Sequence, residues 1–244
     1  MLYQNRQYTF GPGGVTPAVK FLLIANTAVF ILQTVVGMGL DYRLSLYFGL
    51  VPALVLQEFY LWQLFTYQFL HGGIFHLLFN MLAVWMFGCD LERRWGGNFF
   101  LRYYFISVIG GGILNTLFAP GQLGPSIGAS AGVYGVLLAY GLIYPDRVVY
   151  FYFLFPIKVK FFVMIIGAIA LYSSLTAGQS GIAHLAHLGG MIFGYLYLRG
   201  YHLRGFNPWD PLKNYLDRRR LNRLKRRFKV VPGGKDDDSK PTLH

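Results

Sequence analysis

An all-α membrane protein, built as a six-transmembrane helix bundle, is the fold class this sequence predicts, on three observations. Of its 244 residues, 55% are hydrophobic and only 13% charged, where soluble domains carry about 25% charged residues. The stretches 103–145 and 161–198 contain no Asp, Glu, Lys or Arg, and each is long enough for two spans of about 20 residues joined by a short loop. Two further apolar runs, 21–38 and 72–89, bring the count to six.

The elements follow in order. Residues 1–19 form an N-terminal segment. Span one, 21–38, is retained rather than cleaved, because no charged start leads directly into a short apolar run and no small-residue cleavage site follows. Span two covers 72–89. Pro120-Gly121 separates spans three and four, Tyr144-Pro145-Asp146 ends span four, and Gly178-Gln179-Ser180-Gly181 divides span five from span six. The bundle therefore occupies residues 20–200, and 201–244 is a basic tail. The single Cys89 excludes an internal disulfide and fits no zinc spacing.

Net charge is +12, and its distribution predicts orientation. Arg93, Arg94 and Arg102 fall between spans two and three, Arg147, Lys158 and Lys160 between four and five, and thirteen basic residues run from Arg199 onward. The loops of the other face hold only Arg43. By the positive-inside rule both termini are cytoplasmic, and spans two, four and six start at the outer face of a cell (inner) membrane.

With that orientation the unusual polar residues share one depth. His76 and Asn80 fall in the first two turns of span two, Ser130 in the first turn of span four and His187 two turns into span six, all within about 10 Å of the outer helix ends. An ionisable group at membrane depth is disfavoured unless it faces protein or water, so His187 is a functional candidate by position. A serine hydroxyl becomes a nucleophile when a neighbouring base takes its proton, and imidazole is suited to that. No Asp or Glu lies in the apolar parts of spans two to six to orient the histidine, so the chemistry expected is a Ser130–His187 dyad. Gly128 and Gly132 on span four, and Gly190 and Gly194 on span six, form small-xxx-small steps that let the two helices touch. Tyr134, on the same helix face as Ser130, is placed to pack on the imidazole. His76 and Asn80 are an i, i+4 pair able to donate to an oxyanion together with the open Ser130 amide. His71 and His184 read as supporting or cavity-lining.

The segments His71-Gly72-Gly73-Ile74-Phe75-His76-Leu77-Leu78-Phe79-Asn80-Met81, Gly128-Ala129-Ser130-Ala131-Gly132 and Ala186-His187-Leu188-Gly189-Gly190 resemble, in order, those of the rhomboid intramembrane serine proteases. The resemblance covers residues 20–200. It implies a rhomboid-like bundle with Ser130 as nucleophile, His187 as general base, and His76, Asn80 and the Ser130 amide as the oxyanion site. It also implies cleavage of single-pass membrane proteins near the outer surface, with the loop around 176–181 as a cap and span five, bearing Phe161 and Phe162, as a lateral gate. The family often carries Trp-Arg in the first external loop, where this chain has Trp62-Gln63; arginine-based anchoring of that loop is absent. Because a helical peptide bond is shielded, substrates with Gly or other helix-weakening residues near the outer boundary are expected to be preferred.

No cofactor or metal is expected. The competing class is a polytopic metal- or haem-binding protein using His71, His76, His184 and His187, although the His-x4-His and His-x2-His spacings match no zinc signature. A catalytically inactive relative is a third class, against which both Ser130 and His187 are retained. In the tail, Leu216, Leu221, Leu224 and Phe228 recur near helical intervals among Arg and Lys, which reads as an amphipathic helix on anionic lipids. No aromatic-rich pattern there suggests nucleic acid.

Overall fold

Long apolar runs without internal partners for their backbone must become helices in lipid, where each N–H and C=O needs an acceptor or donor within the segment. The computed structural model describes residues 13–151, 155–176 and 182–202. In chain order the elements are α1 (Pro17–Phe48), the short α2 (Pro52–Gln57) and α3 (Gln63–Thr66), α4 (Ile74–Ala83), α5 (Cys89–Trp95), α6 (Gly97–Phe118), α7 (Ser130–Ile143), a hairpin β1 (Val148–Phe151) and β2 (Phe155–Lys158), α8 (Val159–Thr176) and α9 (Ile182–His202). A π-helical segment, Val84–Gly88, joins α4 to α5. Among the described residues, Pro17–Val36, Ile74–Trp95 and Val159–Thr176 are helices long and apolar enough to cross a membrane.

Four boundaries differ from expectation. The first helix continues past residue 38 to Phe48. The second runs on through Asp90, Glu92, Arg93 and Arg94 to Trp95, because charges at the end of a span can still lie on helical backbone. Glu92 is buried and its carboxylate accepts from the amides of Ala18 and Val19, both at 2.9 Å, and from the Thr16 hydroxyl. A carboxylate at a helix start satisfies its open amides and meets the positive end of its dipole, so α5 caps α1. Third, α7 has 14 residues, which at 1.5 Å per residue is about 21 Å, short of the roughly 30 Å hydrocarbon thickness. Its first residue is therefore sunk relative to a full span. Fourth, the connection after α7 contains an antiparallel hairpin, pairing Val148 with Lys158 and Val149 with Ile157, so the helical fold carries one small sheet.

Helix α6 is the core. Phe100, Tyr103 and Tyr104 are among the largest fully buried side chains, and Tyr104 donates to Gln68 Oε1 at 2.9 Å while Tyr103 donates to the Gly135 carbonyl at 2.6 Å. The segment before α7 is sutured to the first loop: Leu50 and Ser126 exchange both backbone bonds at 2.9 and 2.8 Å, and the Gly128 amide donates to the Tyr67 carbonyl at 2.9 Å. The loop itself is fastened by Gln63, fully buried, which accepts from the Val51 amide at 2.9 Å and donates to the Leu46 carbonyl at 2.7 Å. Trp62 Nε1 donates to the Tyr47 carbonyl at 2.8 Å. A neutral amide thus does the fastening for which an arginine was absent. Of the expected cap around 176–181, residues 177–181 lie outside the described residues, as do residues 203–244 of the tail.

Candidate functional site

Ser130 is the first residue of α7 and His187 sits in the second turn of α9. Their approach depends on glycine. A Cβ on Gly190 would collide with the carbonyl of Ala131, one on Gly111 of α6 would lie 2.6 Å from the Ala186 carbonyl, and one on Gly189 would lie 2.8 Å from Gly111 Cα. Helices α6, α7 and α9 therefore meet backbone to backbone, the close packing that small residues permit in lipid. The expected pairing of glycine steps needs correction. Gly190 does face α7, but Gly132 faces the Tyr104 ring and Gly194 faces Tyr103, both on α6, and Gly128 precedes the helix altogether. Helix α6 shares the contact that two helices alone were expected to make.

The result is a Ser130 Oγ to His187 Nε2 separation of 2.6 Å, within the range of a hydroxyl donating to a neutral imidazole. The Tyr134 ring lies parallel to the imidazole, 4.2 Å between centroids and 9° between planes, and fixes its plane by stacking. His187 Nδ1 is buried with no hydrogen-bond partner among the described residues. No carboxylate reaches it among the described residues.

Donors converge from the other side. Gly128 has φ +123°, a conformation that L side chains rarely adopt, and an added Cβ there would lie 2.6 Å from His76 Nε2 and 3.9 Å from Asn80 Nδ2. His76 Nε2 thus crowds the backbone just before Ser130, and Asn80 Nδ2 lies beyond it at ordinary contact distance. His76 Nδ1 faces the Gly72 amide at 3.4 Å, which assigns Nδ1 as acceptor and leaves Nε2 to carry the proton toward Gly128. Asn80 Nδ2 donates to the His76 carbonyl at 3.0 Å, which uses one of its two hydrogens. The Ser130 amide opens α7 and so has no intrahelical acceptor. His71 is buried beside His76 with ring centroids 5.1 Å apart, and its backbone is clamped by Gln33, whose Oε1 accepts from the His71 amide at 3.1 Å and whose Nε2 donates to the His71 carbonyl at 3.0 Å. In the sequence Gln33 and Tyr67 carried no expected role and Gln63 stood only as the residue after Trp62; each is followed within a few residues by further polar side chains (Thr34, Thr66, Gln68), so nothing set it apart.

The four histidines form two separated pairs, His71 with His76 and His184 with His187, the latter 5.8 Å apart edge to face. No group of three or more His, Cys, Asp or Glu able to hold a metal ion occurs among the described residues.

Residues 58–204 match the family described as "Rhomboid domain". The chain is 32% identical over 180 residues to "Rhomboid protease GluP" of Bacillus subtilis, covering 73% of this chain and 34% of that protein. It is 32% identical over 134 residues to "Rhomboid protein 1, mitochondrial" of Saccharomyces cerevisiae, covering 53% and 38%, and 30% identical over 122 residues to "Rhomboid-like protease 3" of Toxoplasma gondii, covering 49% and 46%. The matched region spans about a third to a half of those relatives. None of these similarities supports a metal- or haem-binding reading.

Proposed function

Because the chain belongs to the rhomboid family, we propose that it is an intramembrane serine endopeptidase with Ser130 as nucleophile and His187 as general base. The observation that carries this reading is the 2.6 Å contact between Ser130 Oγ and His187 Nε2, made between α7 and α9. As Oγ attacks a substrate carbonyl, Nε2 takes its proton; Tyr134 keeps the imidazole plane fixed while it becomes imidazolium. The tetrahedral oxyanion is met by His76 Nε2–H, the second Asn80 Nδ2 hydrogen and the Ser130 amide, donors held in place before the charge develops. His187 then protonates the leaving amine, and a water activated by the same nitrogen hydrolyses the acyl-enzyme.

Substrates are single-pass membrane proteins cut at the outer side of the bilayer, where local unwinding frees a peptide bond. His76, Asn80 and His71 supply a polar setting in which such a bond and the hydrolytic water are stable. The protein resides in the cell membrane on this reading; the charge distribution supports both termini being cytoplasmic, and the basic tail supports contact with anionic lipids. Fluorophosphonate labelling of purified protein tests the assignment. Wild type labels, while Ser130→Ala does not and His187→Ala labels far more slowly; labelling that persists in Ser130→Ala overturns the nucleophile.

A further inference from the structure

The hairpin β1–β2 takes no part in that chemistry. It leaves the end of α7 opposite Ser130, and its register pairs Val148 with Lys158, Val149 with Ile157 and Tyr150 with Pro156. Register partners share a face and successive residues alternate, so Val149, Ile157 and Phe155 lie on one side and Val148, Tyr150, Pro156 and, at the root, Lys158 on the other. One face is apolar, the other is apolar except for Lys158 at its root, and Val148, Tyr150 and Phe155 are exposed. A lone two-stranded ribbon is marginal in water, and one whose exposed blade is apolar needs a cover.

At its root the chemistry reverses. Lys158 and Lys160 share one carboxylate, Asp146, at 3.6 and 2.9 Å, while Arg93 and Arg147 share Asp90. Four cations thus stand against two carboxylates, leaving an excess of positive charge where the ribbon joins the bundle. An apolar, Tyr-bearing blade beside an under-neutralised cationic root is the distribution of an element that lies in a membrane interface.

We propose that the hairpin is an interfacial anchor, lying in the leaflet opposite the Ser130 site and holding the phosphates of anionic phospholipids against Lys158 and Lys160. The proposal rests on the membrane-spanning fold and not on proteolysis. It also bears on α8. The Val159 amide donates to the Arg147 carbonyl at 2.8 Å and the Lys160 amide to the Pro145 carbonyl at 3.1 Å, so the root of the ribbon and the first turn of α8 move as one. Gly141 lets Val163 pack tightly at the same end, while Leu171, Tyr172 and Leu175 at the far end are exposed. Lipid bound at the root is therefore held beside the first turn of α8.

The test uses full-length Tyr150→Cys protein labelled with bimane in nanodiscs of phosphatidylcholine with or without phosphatidylglycerol; Cys89 is fully buried, and labelled wild type measures its background. The expected result is a blue-shifted emission, quenched by lipids brominated near the glycerol and not by aqueous iodide. Quenching by brominated phosphatidylglycerol exceeds that by brominated phosphatidylcholine, and Lys158→Gln with Lys160→Gln lowers this preference by about ten-fold, since each interfacial cation contributes several-fold. Iodide quenching equal to that of free dye overturns the anchor. Equal quenching by both brominated lipids, unmoved by the lysine changes, overturns the phosphate contact. Repeating the measurement in Ser130→Ala separates this proposal from the proposed activity, because the label reports depth whether or not the protein cleaves anything.

Discussion

Gly128→Ala is the smallest change that tests the oxyanion site, because it adds one methyl group and removes no donor. The Cβ would sit 2.6 Å from His76 Nε2 and 2.7 Å from His76 Cε1. Ordinary contact begins near 3.4 Å, so the imidazole must retreat by about 0.8 Å or the backbone must give. Retreat takes Nε2–H away from the place where negative charge develops, and loss of one such donor costs about 10²–10³ in kcat. The backbone alternative is no cheaper, since a side chain held at φ +123° carries about 1–3 kcal/mol of strain, and the Ser130 amide two residues on is displaced with it. The assay is cleavage of a reporter transmembrane substrate in proteoliposomes, with the melting temperature measured in parallel. The expected outcome is a fall of about 10²–10³ in kcat with KM little changed. Because the methyl acts mainly through His76, Gly128→Ala with His76→Ala should lose less than the product of the two single effects. Activity of Gly128→Ala within about two-fold of wild type, or fully multiplicative effects, would refute the convergence of donors on this backbone.

Tyr134→Ala, which removes the ring stacked on His187, is expected to lower kcat about ten-fold, whereas Tyr134→Phe keeps the ring and stays within about two-fold; equal losses in steady-state kinetics would show that the hydroxyl matters instead. Gly190→Ala pushes α9 from the Ala131 backbone and should slow fluorophosphonate labelling at Ser130 severely, which a labelling time course reads out. Glu92→Gln and Gln63→Ala each leave buried amides or carbonyls short of a partner and should cost about 1–3 kcal/mol, seen as a lower melting temperature. The hydrogen bond from Lys160 and its charge hold the Asp146 carboxyl below its ordinary range. A depressed folded-state value stabilises above the unfolded pKa and is lost as pH falls through the folded one. The melting-temperature advantage of wild type over Asp146→Asn should therefore shrink on acidification, and an advantage that grows would reverse the sign of this reasoning.

The membrane-spanning helical class was legible in the sequence, as were the polar residues His76, Asn80, Ser130 and His187 that stand out from their apolar surroundings. Those features are local: an uncharged run of sufficient length reports its own preference for lipid, and a polar residue inside it reports its own cost. Helix ends were less legible, because Asp90 to Arg94 read as a loop until Glu92 is seen capping α1. The hairpin was hidden for a related reason, since Val148 to Phe151 is apolar like its flanking helices and has no partner until the chain turns back at Phe155.

Which surfaces meet was decided only by the tertiary structure. Helices that are apolar all round have no polar face to set their rotation, so a glycine every four residues shows that some neighbour comes close without naming it. Packing assigned Gly190 to α7 but Gly132 and Gly194 to α6, aimed His76 at Gly128 through the suture of Leu50 with Ser126, and gave Gln63 the fastening of the first loop. The residue types were set one by one along the chain; their 2.6 Å meeting exists because rigid helices from distant segments share contacts that no single segment encodes.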